Sequence, residues 1–157
     1  MPAMARVQMT VATPIGSLVV SAQDDAIVAV DWGEAAVETE TPLLAAAARQ
    51  LGAYFDRRLT VFDLALAPAG TSFQRAVWNE MRRIPFGSTR RYGDLARAIG
   101  GVPRAVGGAC GRNPIPIIIP CHRVVGAGGR IGGFSSPGGA VTKRFLLELE
   151  SGAARLL

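Results

Sequence analysis

The residues best suited to chemistry are Cys121 and His122, which stand side by side after an apolar run. Three isoleucines at 117–119 lead up to them, and the prolines that flank this run exclude a helix there. A thiol at the end of an apolar wall is a nucleophile placed to meet an electrophile. His122 is also the chain's single histidine. Because neighbours in sequence seldom face one another, the pair by itself favours a buried structural cysteine.

The elements that must position these residues begin with a small antiparallel sheet. Thr41 and Pro42 then suit the N-cap and first position of a helix, and an apolar stripe at helical spacing follows them. Strand patterns separated by turn residues cover residues 7–11, 18–21 and 26–32.

Charge changes sign near residues 67–70, an alanine, proline and glycine segment with the composition of a linker. Residues 1–70 carry four basic and eight acidic side chains, whereas residues 71–157 carry thirteen basic and four acidic ones. Lys143 is the single lysine, and arginine offers a planar fork that suits phosphates and guanine edges. We therefore predict an N-terminal domain at 1–70 and a basic C-terminal domain at 71–157. Charge alone leaves DNA, RNA, an anionic membrane and simple solubility open.

The basic half predicts a helix-turn-helix. Thr71 and Gln74 fit a capping box, and a later helix over 92–99 is followed by a three-residue turn and by a helix from Pro103. The second of these paired helices consists mainly of small residues, which suits close backbone approach to a minor groove better than base reading. The residues expected to meet DNA there are Arg104, Ala105, Gly107, Gly108 and Arg112. A last helix covers 141–152.

Composition also argues against several classes of protein. Two cysteines and one histidine do not make a disulfide framework or a tetrahedral zinc site. No apolar stretch reaches the roughly 18 residues of a membrane helix, and residues 1–10 contain no signal-peptide core. We expect a cytoplasmic protein that needs neither metal nor cofactor.

Several short motifs together resemble the O6-alkylguanine-DNA alkyltransferase family. Asn-Pro-Ile-Pro at 113–116 and Ile-Pro-Cys-His-Arg-Val at 119–124 look like its active-site signature, including the spacing between Asn113 and Cys121. Further motifs lie at 70–74, 77–78 and 84–87, and the resemblance covers residues 13–152. It implies an α/β (α+β) fold with a small sheet and helix first, then a mainly helical domain with the helix-turn-helix and the cysteine.

The resemblance implies a reaction and a role for each matching residue. An alkyl group would move irreversibly from O6 of guanine, or O4 of thymine, in a flipped-out nucleotide onto Cys121. His122 would be the base that acts through a water, and Glu150 would orient it. Tyr92 would donate a proton to guanine N3, and Asn113 would brace the turn that carries the cysteine.

The resemblance also implies how DNA is held. Arg104 would fill the space that the flipped nucleotide leaves, and Arg123 would add a DNA contact. The partner would be duplex DNA carrying O6-alkylguanine, bound by a monomer, with cooperative binding left open. The substrate pocket would be lined by Pro120, Val124, Phe134 and Ser135.

Three other functions compete with this interpretation. The alternative is a non-catalytic damage-recognition protein of the alkyltransferase-like kind, but such proteins lack the cysteine found at Cys121. A Cys/His hydrolase would leave Arg104 and the basic half unexplained. A sequence-specific transcription regulator conflicts with the small residues of the second helix.

Overall fold

The computed structural model describes residues 5–131 and 138–152. The chain forms two compact units, Met1–Ala69 and Gly70–Leu157, so the division falls one residue before the boundary placed on charge and composition. Across the described part of the chain, no helix combines the length and apolar character needed to cross a membrane.

The first unit is a three-stranded antiparallel sheet with one helix. Strands β1 (Val7–Thr13), β2 (Gly16–Gln23) and β3 (Ala26–Trp32) pair in chain order. Helix α1 (Pro42–Phe55) begins as the sequence predicts, since the Thr41 side chain accepts from the backbone N–H of Leu44. Its buried stripe lies against the sheet and closes this core, through Leu44, Ala47, Leu51, Tyr54 and Phe55.

The second unit consists of helices around one short parallel strand pair. The helices are α2 (Ser72–Met81), α3 (Tyr92–Ile99), α4 (Pro103–Gly111) and α5 (Ala140–Ser151). Strand β4 (Arg90–Arg91), just before α3, pairs with β5 (Val124–Val125), just after the Cys121–Arg123 turn. The predicted capping box of α2 is present, with Thr71 and Gln74 bonded reciprocally.

Helices α2, α3 and α4 pack against one another and hold the helix-turn-helix. Trp78 is buried, and its indole N–H donates to the carbonyl of Ala109 at 2.9 Å, which ties α2 to α4. Gly100 ends α3 in the left-handed conformation with φ 75°, a geometry that glycine adopts without strain.

Candidate active site around Cys121

The isoleucine run forms a tight buried turn. Ile117 lies at φ 74°, a conformation that is costly for a β-branched residue, and its side chain is fully buried. Asn113 braces this turn because its amide donates to the carbonyl of Ile119 at 2.8 Å and accepts from the N–H of Ile115 at 2.9 Å. A side chain that bonds both ends of a strained turn holds the next residues in one place. Those next residues are the candidate catalytic pair.

Cys121 begins a single 3-10 turn, Cys121–Arg123, and is buried. Burial raises the pKa of its thiol, while hydrogen bonding from Asn113 and the nearby charge of Lys143 oppose this in part. The resting group is therefore a thiol, which is a weak nucleophile until a base removes its proton.

His122, the predicted base, lies next to a carboxylate. His122 Nε2 is 2.6 Å from Glu150 Oε2, and both side chains are buried. Burial lowers the pKa of His122, and the hydrogen bond and charge of Glu150 work against that effect. A carboxylate oxygen accepts, so Nε2 carries the hydrogen and Nδ1 is the nitrogen that can take a proton. Helix α5 supplies Glu150 from 28 residues farther along the chain.

The placement of Arg123 corrects a sequence prediction. We expected a DNA contact, but its side chain is buried and its guanidinium bonds Glu150 through Nε at 2.8 Å and through Nη2 at 3.0 Å. Nη1 donates to the carbonyl of Ile84 at 2.8 Å. The physical reason is that a buried carboxylate needs a cationic partner, and arginine offers two parallel donors.

Tyr92 and Lys143 form a second polar pair, whose lysine was not among the predicted site residues. Lys143 is 1% exposed on α5, and its Nζ lies 3.4 Å from the Tyr92 hydroxyl. Burial lowers the pKa of the lysine and raises the pKa of the tyrosine, and ionisation of Cys110 or Cys121 would raise the pKa of both groups. The spacing could have indicated this lysine, because Lys143 and Glu150 are seven positions apart, and two helical turns bring such residues to the same face of a helix.

An open face of the helix-turn-helix lies close to this site. A cavity of about 370 Å³ opens beside Tyr92, and Arg97 and Pro103 are among the residues that line it. On α4, the buried side holds Val106, Ala109 and Cys110. The opposite side exposes most of the residues expected to meet DNA, namely Arg104, Ala105, Gly108 and Arg112, with Gly107 half-buried.

The predicted substrate-lining residues divide into two groups. Pro120 and Val124 are buried on either side of the 3-10 turn that carries Cys121. Phe134 and Ser135 lie outside the described residues. Among the residues that are described, no three histidine, cysteine, aspartate or glutamate side chains gather in a metal-binding group.

Comparisons with known proteins match both units. The family model "6-O-methylguanine DNA methyltransferase, ribonuclease-like domain" matches residues 7–68, and the DNA binding domain of the same name matches residues 72–152. A methylated-DNA–protein-cysteine methyltransferase of Methanosarcina acetivorans is 43% identical over 88% of this chain and 94% of that protein. The constitutive methyltransferase of Bacillus subtilis is 40% identical over 90% of this chain and 93% of its own.

A solved structure agrees with these matches. The structure of Mycobacterium tuberculosis OGT in complex with DNA is similar with a TM-score of 0.84 and 41% identity, and the match covers 93% of both chains. The family models together span nearly all of the described chain. The chain therefore belongs to the O6-alkylguanine-DNA alkyltransferase family, the 6-O-methylguanine DNA methyltransferases.

Proposed function

We propose that Cys121 is the acceptor through which this DNA-repair methyltransferase takes an alkyl group from O6 of guanine. The observation that carries the proposal is a buried thiol followed directly by a buried His122–Glu150 pair, at the end of a turn that Asn113 braces. The class of reaction, alkyl transfer from DNA to a protein cysteine, follows from family membership. The damage-recognition alternative is disfavoured because Cys121 is present.

The reaction starts with the Cys121 thiol proton, which passes through a water to His122 Nδ1. The imidazolium formed in this way is stabilised by Glu150 at 2.6 Å. The thiolate then attacks the alkyl carbon, a C–S bond forms, and the bond between carbon and O6 breaks. The electron pair of that bond passes into the guanine ring. The thioether is stable, so one molecule repairs one lesion.

The leaving guanine takes a proton at N3 from the Tyr92 hydroxyl. Lys143 donates to the same hydroxyl oxygen at 3.4 Å, so its charge stabilises the Tyr92 phenolate that forms when the proton has been transferred. Tyr92 also borders the cavity of about 370 Å³, where a flipped base would reach it.

The DNA part of the proposal rests on α4. Its exposed side combines Arg104 and Arg112 with residues that have almost no side chain, so the backbone can approach the minor groove closely. Arg104 at the start of the helix takes the place of the flipped nucleotide. We further propose that the protein acts as a monomer on damaged duplex DNA, in the cytoplasm and on the nucleoid.

The test is intact-mass measurement after incubation with a duplex oligonucleotide containing O6-methylguanine. We expect a gain of one methyl group per protein, located on Cys121, with an equal amount of guanine restored. Cys121→Ser should bind the duplex and gain no mass. Because the chain has two cysteines, Cys110→Ser is the matched control and should still be methylated.

Two outcomes would contradict the proposal. Methylation of a residue other than Cys121 would show that the acceptor is wrong. Tight binding of the lesion by the wild-type protein without any mass gain would favour damage recognition without transfer.

A further inference from the structure

Arg123 holds the carboxylate on which His122 depends. Each oxygen of Glu150 accepts one bond from the guanidinium: Oε1 from Nε at 2.8 Å and Oε2 from Nη2 at 3.0 Å. Oε1 also accepts from the N–H of Gly87 at 3.3 Å, and Oε2 is the oxygen that His122 contacts. The bonds from Arg123 and Gly87 thus fix the position of the carboxylate independently of His122.

The guanidinium is itself fixed on two further sides. Nη1 donates to the carbonyl of Ile84, and the group lies over the ring of Phe86 at 5.8 Å from its centre. Arg123 is 6% exposed, so solvent screens its charge weakly. Arg123 therefore carries a permanent charge in a fixed place beside the catalytic pair.

The position of Arg123 affects whether His122 is charged in the resting protein. A buried carboxylate next to an imidazole with no other cation would draw a proton onto the imidazole. An imidazolium cannot accept the proton of Cys121. Because Arg123 neutralises the charge of Glu150, the carboxylate can orient His122 without causing the imidazole to take up a proton.

We propose that Arg123 is a positioning residue that keeps His122 uncharged in the resting protein, so that His122 is free to accept the thiol proton. This inference rests on the proposed function, in which Cys121 gives its proton to His122. Arg123, which we had expected to contact DNA, thereby takes part in the proton transfer.

The charged and titratable groups that face His122 act on its pKa in opposite directions. Burial lowers the pKa of His122, Glu150 raises it, and Arg123 and Lys143 lower it. Removal of Arg123 takes away one lowering influence and leaves the carboxylate that raises the pKa. The pKa of His122 should therefore increase in a variant without the arginine.

The experiment is NMR titration of the His122 ring in the full chain without DNA, where the single histidine makes assignment unambiguous. In the wild type we expect a neutral ring with the hydrogen on Nε2 at pH 7. Arg123→Met should shift the titration to higher pH, and Arg123→Lys should stay closer to the wild type. Arg144→Met, an exposed arginine on the same helix as Glu150, is the matched control and should not shift it.

The transfer rate separates this role from simple packing. In Arg123→Met we expect the acid limb of the pH–rate profile to move to higher pH, with a loss of about 10²-fold near neutral pH and partial recovery in alkali. A purely structural defect would lower the rate equally at every pH.

Three results would overturn the proposal: an unshifted histidine titration in Arg123→Met, an equal rate loss at every pH, or a charged ring in the wild type at neutral pH. The last of these needs no variant and so does not depend on folding. The ring titration is read without DNA, so failure of Cys121 as acceptor would leave it interpretable.

Discussion

Burial drives each reactive side chain of the site toward its uncharged form. It raises the pKa of Cys121 and Tyr92 and lowers the pKa of His122 and Lys143. The unfolded chain takes a proton at His122 more readily than the folded chain, so this residue makes stability fall as pH drops through the ordinary histidine range. The thiol of Cys121 ionises more readily when unfolded, so it makes stability fall as pH rises through the ordinary thiol range.

The first prediction concerns Lys143. Lys143→Met removes the donor to the Tyr92 hydroxyl and the charge that partly offsets the raised pKa of Cys121. Transfer should slow by about tenfold or more, because both the thiolate and the phenolate lose electrostatic support. Single-turnover methylation of the protein measures this rate.

DNA affinity and urea unfolding of Lys143→Met are the controls for that prediction, because they show whether the variant still binds and folds. Lys143 is buried, so Lys143→Met should bind the duplex like the wild type and should unfold at an equal or higher urea concentration, because a costly buried charge has gone. Arg144→Met, at the exposed neighbouring position, should leave the transfer rate unchanged. Equal transfer rates in Lys143→Met and the wild type would remove the lysine from the mechanism.

At the scale of an element, α4 combines weak helix-forming residues with an exposed face. Gly108 lies inside this helix, and a Cβ added there would meet no atom of the described residues within 4 Å beyond the adjoining backbone of the helix itself. A glycine in a helix interior costs roughly 0.5–1 kcal/mol relative to alanine. The space beside Gly108 is therefore open to a partner such as a DNA backbone.

The second prediction follows from this open space. Gly108→Ala should increase the free energy of unfolding by about 0.5–1 kcal/mol and weaken DNA binding, because the methyl group holds the DNA backbone away. Urea unfolding and fluorescence titration with duplex DNA measure the two effects.

Gly52→Ala is the matched control, since Gly52 lies inside α1 and a Cβ there likewise has 4 Å of open space around it among the residues described, apart from its own helix backbone. It should give the same gain in stability with unchanged DNA affinity. If Gly108→Ala binds DNA as tightly as the wild type, α4 does not approach the DNA backbone closely at this position.

At the scale of the whole molecule, charge separates along the chain. Residues 71–157 carry a large excess of arginine, whereas residues 1–70 are net acidic. A basic protein domain releases counterions when it binds DNA, so the DNA affinity should fall steeply as the salt concentration increases. The number of phosphates contacted sets how steeply it weakens.

The third prediction uses this salt dependence. Arg112→Gln removes an exposed charge just past the end of α4, and it should reduce the slope of log affinity against log salt by about one. Arg49→Gln, an exposed arginine of α1 in the acidic half, is the control and should leave the slope unchanged. Identical slopes for Arg112→Gln and the wild type would place Arg112 away from phosphate.

The sequence by itself determined the features that local rules govern. Threonine caps, the apolar stripe of α1 and the glycine turn after α3 depend on neighbours within one helical turn, so their spacing predicts them. The Asn113 to Cys121 motif pointed to the family for the same reason, because its residues are close in sequence.

Only the tertiary structure decided which further charged side chains join the residues that the family resemblance had named. Lys143 reaches the site from α5, as Glu150 does, and Arg123, which follows the motif's histidine directly, turns inward to the carboxylate. Spacing along the chain does not show which way a charged side chain points. A buried carboxylate and an exposed DNA surface both attract arginine, and burial, which folding alone determines, decides between them.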